Sequence, residues 1–190
     1  GWTFLNNGDG NNWALGPTAQ SGTQALAYSY SSIADADVWA ISPAATLKAG
    51  NTYTISFWYR VESASFPEKL KVTVGNAATV AAQTQVLWNN NGNTSLTNTT
   101  YAQGVINFVP ATTGVYYFAF NCYSDADQWN LWLDNISITG SGDADPTYSW
   151  VSNPAGFTSS VQNPQNVPVD EPTTYTVTIT NAFGCSASES

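Results

Sequence analysis

The sequence predicts an all-β protein: a sandwich or barrel of many short strands, followed by a smaller β module. Three observations carry that prediction. Strand-like segments recur between turn clusters, most clearly TYTISFWYRV (52–61), KLKVTVG (69–75), GVYYFAFNCY (114–123) and WNLWLDNISIT (129–139). No window of comparable length carries a sustained helical stripe. Composition points the same way. Charged residues make up only 9% of the chain and Met is absent, so Thr, Ser, Asn and Gln must supply the polar surface, while 43% hydrophobic residues allow a full core.

Taken in order, GWTFL (1–5) is a strand candidate, and the turn NNGDGNNW (6–13) ends it. Weaker strands follow at TQALAYSYS (23–31) and VWAISPA (38–44), and later at TQVLWNN (84–90) and AQGVINFVP (102–110). The small, acidic stretch GSGDADP (140–146) reads as a linker closed by a proline. Beyond it lie TYSWV (147–151), a Pro-rich middle, and TYTVTITNAFGCSAS (174–188). That second module has about 50 residues, where a seven-stranded immunoglobulin-like sandwich needs about 100. Early strands are then missing, or the last strand is cut short or pairs with a neighbour, and an open edge of this kind invites strand addition. The chain opens in strand-like sequence with neither an initiator Met nor a signal peptide, which reads as a removed leader or as a segment of a longer protein.

Four basic residues face thirteen acidic ones, a net charge of −9. Phosphate binding needs clustered Lys and Arg, so nucleic acid is excluded as a partner, as is docking on an anionic membrane. No apolar run is long enough for membrane insertion. Cys122 lies in an apolar strand and reads as a buried thiol, whereas Cys185 belongs to the second module, so the two do not pair. One internal echo stands out. DADVWA (35–40) and DADQWN (125–130) share Asp-x-Asp-x-Trp, each just before a strand, and would mark two neighbouring strand ends on one rim; Asp143 and Asp145 repeat the Asp-Ala-Asp without the Trp.

The turn at 6–13 combines glycines, which permit tight geometry, with oxygen-bearing Asn and Asp side chains, a combination that suits a hard cation or an ordinary Asx-rich turn. Together with that turn, the motif DQWNLWLDNISI (127–138) resembles the two ends of the cleaved-adhesin domains, also called choice-of-anchor or MAM-like jelly rolls, of bacterial surface proteins. VWAISPAATLKAGNTYTISFWYRV, between them, is similar to the central part of that family, and the likeness covers residues 1–139. Residues 147–188 look like the Ig-like or PKD-like repeats of the same Bacteroidetes proteins. The resemblance therefore implies a jelly-roll β-sandwich (1–139), a linker (140–146) and a small, incomplete Ig-like β-sandwich (147–190). It also implies structural calcium, carried over by position to Asp9, Asn11 and Asp134, with Asn7 standing where relatives often carry Asp. A parent protein exported by type IX secretion to the cell surface is implied as well.

Eight Trp and ten Tyr are many for this length. Flat aromatic faces flanked by Asn, Asp and Gln bind sugars, and the candidates are Trp39, Trp88, Trp129, Tyr123 and Trp132. Trp88 is the one most expected at the surface, because it precedes the polar loop NNNGNTS (89–95) that contains Asn90. Alternation in WNLWL puts Trp129 on one face with Leu131 and Leu133, and Trp132 on the other with Asn130 and Asp134, without saying which is core. Catalysis has little support. The absence of His removes Ser-His and Cys-His nucleophile activation, and Glu62 and Glu68 only flank a loop. The expected function is therefore a non-catalytic adhesin or carbohydrate-binding module that recognises a surface glycan or a host or matrix protein. The alternative is a fibre or stalk subunit that forms a homo-polymer by completing its unfinished second module.

Overall fold

The computed structural model describes residues 1–8, 11–93, 95–141, 146–167, 169, 171–180 and 186–190. Its architecture follows from one long strand. In β6 (Thr52–Val61), side chains alternate perfectly: Tyr53, Ile55, Phe57, Tyr59 and Val61 are buried, while Thr52, Thr54, Ser56, Trp58 and Arg60 face outward. A strand buried on one side needs a second layer, and two antiparallel sheets supply it.

The first sheet takes the order β1 (Thr3–Asn6), β4 (Val38–Ile41), β10 (Gly114–Cys122), β7 (Leu70–Gly75), β8 (Gln85–Trp88), with β5 (Ala45–Leu47) also pairing β10. The second takes the order β2 (Ala14–Gly16), β3 (Ala25–Ser29), β11 (Asn130–Ser141), β6, β9 (Ala102–Phe108). Between them lies one core, in which Phe57 packs edge-on to Phe120 with ring centroids 5.2 Å apart, and Phe118, Leu131, Leu133 and Val72 are fully buried. This is the jelly-roll sandwich expected from the sequence. Gly104 in β9 is needed for that packing, since a Cβ there would lie 2.3 Å from the Phe57 ring.

Some boundaries differ from the expectation. VWAISPA (38–44) is strand only as far as Ile41, because Pro43 cannot donate to the ladder, and β5 begins after it at Ala45; Ser42 lies in the break, its N–H donating to Phe118 O and its hydroxyl accepting from Phe118 N. β2 is only three residues long and carries no alternating signal. The polar stretch after β8 contains a single helical turn, α1 (Asn90–Asn93).

The second module is one four-stranded sheet, ordered β13 (Thr158–Ser159), β12 (Thr147–Asn153), β14 (Thr174–Thr180), β15 (Ser186–Glu189). Its register places Tyr148 opposite Ile179 and Trp150 opposite Val177 on one face. Thr176, Thr178 and Thr180 on the other face pair by hydroxyl with Ser190, Ser188 and Ser186 at 2.9–3.1 Å. No described side chain beyond Pro146 is fully buried; the apolar face is only partly covered, with the Trp150 indole donating to Val161 O at 3.1 Å. Cys185, Asp143 and Asp145 lie outside the described residues. Cys122 is fully buried, its sulfur 3.3 Å from Ser124 Oγ. No helix among the described residues is long and apolar enough to cross a membrane.

Candidate functional site

The outward face of the five-stranded sheet carries the candidate site. Along β11, Asn130, Trp132 and Asp134 point away from the core, one residue pair after another, and Arg60 and Trp58 of β6 stand beside Trp132 and Asp134. A groove of about 450 Å³ runs between these residues and the segment from Asn11 to Thr18. Trp132 lines the groove but is only 7% exposed, so it offers a narrow part of its indole and not an open ring face. The Arg60 guanidinium sits 4.7 Å above the Trp132 ring and fixes it. The rest of the lining is mixed: Asn11, Asn12, Thr18, Ser29 and Asn130 are polar, while Ala14, Leu15, Gly16, Pro17 and Ala27 are not.

Hydrogen bonds account for part of each amide and leave part over. Asn12 Oδ1 accepts from Trp13 N at 2.9 Å, and Asn130 Nδ2 donates to Glu62 Oε2. Among the described residues, the Asn12 amide donor and the Asn130 amide acceptor have no partner within the chain. A free donor and a free acceptor flanking the indole are what a ring rich in hydroxyls would use.

One end of this groove is walled. Asp134 accepts from Gln20 N at 2.7 Å and Ser21 N at 3.1 Å, and its other oxygen accepts from Asn135 N. The Tyr101 hydroxyl donates to Thr18 O at 2.7 Å. Residues 17–21 therefore form a strap pinned to the sheet face. Burial first, then the Asp134 carboxylate, push the Tyr101 hydroxyl up to about 12, against the pull of Arg60, so it stays a donor at every ordinary pH.

The structure distributes the residues expected from the sequence unevenly. Trp129 is 37% exposed and stacks on Phe66 with centroids 4.6 Å apart and planes 9° apart, so one of its faces is already covered. Trp88 is not the exposed residue expected; it packs against the core, edge-on to Phe57 at 5.2 Å and Tyr59 at 5.3 Å. Asn90 occupies the start of the helical turn with a φ of 47°. Trp39 also departs from the expectation, being 4% exposed. It points outward from β4, but Leu5, Ala78, Val80 and Tyr117 close over that face, its ring nitrogen donates to Asp37 Oδ1, and Lys71 lies 5.3 Å from the ring.

Of the three residues expected to hold calcium, the structure describes Asn11 and Asp134 and places them apart. Asp9 lies outside the described residues. Asn11 donates to Tyr30 O at 2.8 Å, beyond the Asn130 end of β11, whereas Asp134 is four residues further along that strand, about 13 Å away. One ion needs all its oxygens within about 2.6 Å. The Asp134 oxygens are also occupied by backbone N–H groups, so Asn11 and Asp134 do not fit a shared calcium. Among the described residues no three Asp, Glu or Cys side chains converge.

The two Asp-x-Asp-x-Trp segments do lie side by side on one rim. Ala36 N donates to Ser124 O at 2.8 Å, and Ala126 N to Asp35 Oδ1 at 2.9 Å. Asn7 N donates to Asp37 O, and a Cβ on Gly8 would come within 2.5 Å of Asp37 N, so only glycine passes there. These aspartates tie turns together. Glu68, near the same rim, is fully buried, and neither carboxylate oxygen has a hydrogen bond. Its neighbour Ser124 draws its pKa down slightly, but that hydroxyl is turned to Lys69 N and Cys122 Sγ, so desolvation dominates and lifts Glu68 to about 7.

Sequence reasoning missed the Arg60–Trp132 pair, the strap and Tyr101. Alternation in β6 does place Arg60 and Trp58 on the outer face; nothing local marks the strap. A slot of about 320 Å³ between edge strands β1 and β2, lined by Trp2, Phe4 and Leu15, is more apolar than the groove.

The family model described as a carbohydrate binding domain matches residues 1–122. The K1 cleaved adhesin domain of Lys-gingipain from Porphyromonas gingivalis is 20% identical, with a TM-score of 0.58 over 74% of this chain and 91% of that one. The K3 cleaved adhesin domain of the same protein is 21% identical, with a TM-score of 0.57 over 74% and 90%. TmCBM61 in complex with β-1,4-galactotriose is 13% identical, with a TM-score of 0.50 over 74% and 88%. No curated protein matches the chain.

Proposed function

Because this chain belongs to the carbohydrate binding domain family, we propose that its jelly roll is a non-catalytic, adhesin-like module that holds a glycan in the groove above Trp132. The observation that carries the reading is the pairing of an unpartnered Asn12 donor and an unpartnered Asn130 acceptor around that indole. Sugar rings present hydroxyls at their edges and C–H patches on their faces, and the groove offers partners for both. The galactotriose bound by TmCBM61 supports a β-linked oligosaccharide as the type of ligand. The likeness to the Lys-gingipain adhesin domains supports an extracellular, bacterial cell-surface setting.

Affinity electrophoresis against soluble β-1,4-glucan, xylan and galactan tests it. Retardation by at least one polysaccharide is expected, with Trp132→Ala losing about tenfold or more in affinity. Equal migration of wild type and variant in all three gels would count against the groove.

A second reading rests on a different observation. The apolar face of the four-stranded sheet is only partly covered and its edge strand β15 is fully exposed, which favours assembly through strand or sheet addition. Sedimentation at rising protein concentration tests it: concentration-dependent growth supports a homo-polymer, and a constant monomer removes it.

A further inference from the structure

Resting on the glycan reading above, we propose that the groove is a blind site that takes the end of a sugar chain and not its interior. The strap is the reason. Outward side chains on β11 follow one another at roughly 7 Å, so Asp134 is the next group along the sheet face after Trp132. That position holds the backbone of Gln20 and Ser21, hydrogen-bonded to the Asp134 carboxylate.

A long side chain can swing aside for a ligand; a peptide backbone held at several points does not. Ser21 Oγ donates to Asn135 Oδ1 at 2.9 Å, and Asn135 Nδ2 donates to Gln20 Oε1. On the β9 side, Tyr101 holds Thr18 O. The wall is therefore anchored from two strands of the same sheet, β11 directly and β9 through the residue that precedes it.

The opposite end is different. Past Trp132 the lining continues to Asn130 and Ser29, whose polar side chains border the groove at this end. A chain enters from the Asn130 end and stops against Pro17 and Thr18. The distance from Asp134 back to Asn130 is four strand residues, about 13 Å, room for about two to three pyranose rings. The site thus reads a short terminus, and further units extend into solvent.

Calorimetry of the full chain with cello-, xylo- and β-1,4-galacto-oligosaccharides of one to six units tests this. Affinity for the preferred series should rise up to about the trimer and then stay level within twofold. Tyr101→Phe combined with Asp134→Ala, which releases the strap from both strands, should restore a rise of severalfold from trimer to hexamer, whereas Tyr101→Phe alone should keep the plateau. A wild-type hexamer bound tenfold more tightly than the trimer would overturn the blind site while leaving the glycan reading intact. No binding of any series would overturn both. Should the double variant fold poorly, the wild-type length profile decides alone.

Discussion

Trp88, Trp39 and Trp132 share a side chain and differ in what surrounds it, and that difference separates a packing role from a binding role. Trp88 sits between Phe57 and Tyr59. Trp88→Ala is expected to cost about 3 kcal/mol of stability while leaving glycan affinity within twofold, as paired denaturation and electrophoresis would show. The polar loop after Trp88 misled because exposure was inferred from sequence neighbours, whereas the ring folds back over the aromatic cluster of another sheet. Glu68 supplies a second prediction. Burial lifts its pKa to about 7 from an ordinary 4.5, so the folded state holds the proton more tightly than the unfolded one. Its contribution is complete below pH 4.5 and is lost as pH rises through 7, to the extent of about 3 kcal/mol. Glu68→Gln, which keeps the shape and removes the charge, should melt well above wild type at pH 8 and alongside it at pH 4. A constant gap between the two melting curves at both pH values would refute the assignment.

At the scale of the element, β6 was fully legible in the sequence, because ten alternating residues with β-branched and aromatic inner positions admit one reading. β2 and the strap were not. Three residues of strand carry no period, and the strap's bonds join positions far apart in sequence, 83 residues for Thr18 and Tyr101 and 114 for Gln20 and Asp134. Trp39 was hidden for a related reason: it lies on the outward face of β4, and its cover comes from residues distant in sequence, Leu5, Ala78, Val80 and Tyr117. The two Asp-x-Asp-x-Trp turns were legible as neighbours, since each precedes a strand. Gly104 gives the element its own test. In β9 it faces Phe57, whose ring meets Phe120, Tyr59 and Trp88. Gly104→Ala must push that ring off its rotamer, so a loss of about 1–3 kcal/mol is expected in chemical denaturation. The loss should be larger than for Gly114→Ala, where a Cβ meets nothing within 4 Å.

For the whole molecule, the two modules differ in what holds them together. The jelly roll buries a continuous core of aromatic and aliphatic side chains from both sheets. The four-stranded sheet fully buries none of its described side chains; Phe157 and Tyr175 touch edge-on at 5.7 Å, and the hydroxyl pairs on the opposite face are exposed. Surface hydroxyl pairs each contribute a fraction of a kcal/mol, while ordering a residue costs about 1–2 kcal/mol, so the second sheet depends on whatever covers Tyr148, Trp150, Val177 and Ile179. Native-state hydrogen exchange separates the cases. For the chain alone, amides of β6, β10 and β11 should exchange only through global unfolding, and those of β12 and β14 at least a hundredfold faster. If β12 and β14 gain protection as protein concentration rises, a second copy covers the apolar face. If they match β6 at every concentration, the sheet is stable as it stands and strand or sheet addition is not needed to complete it.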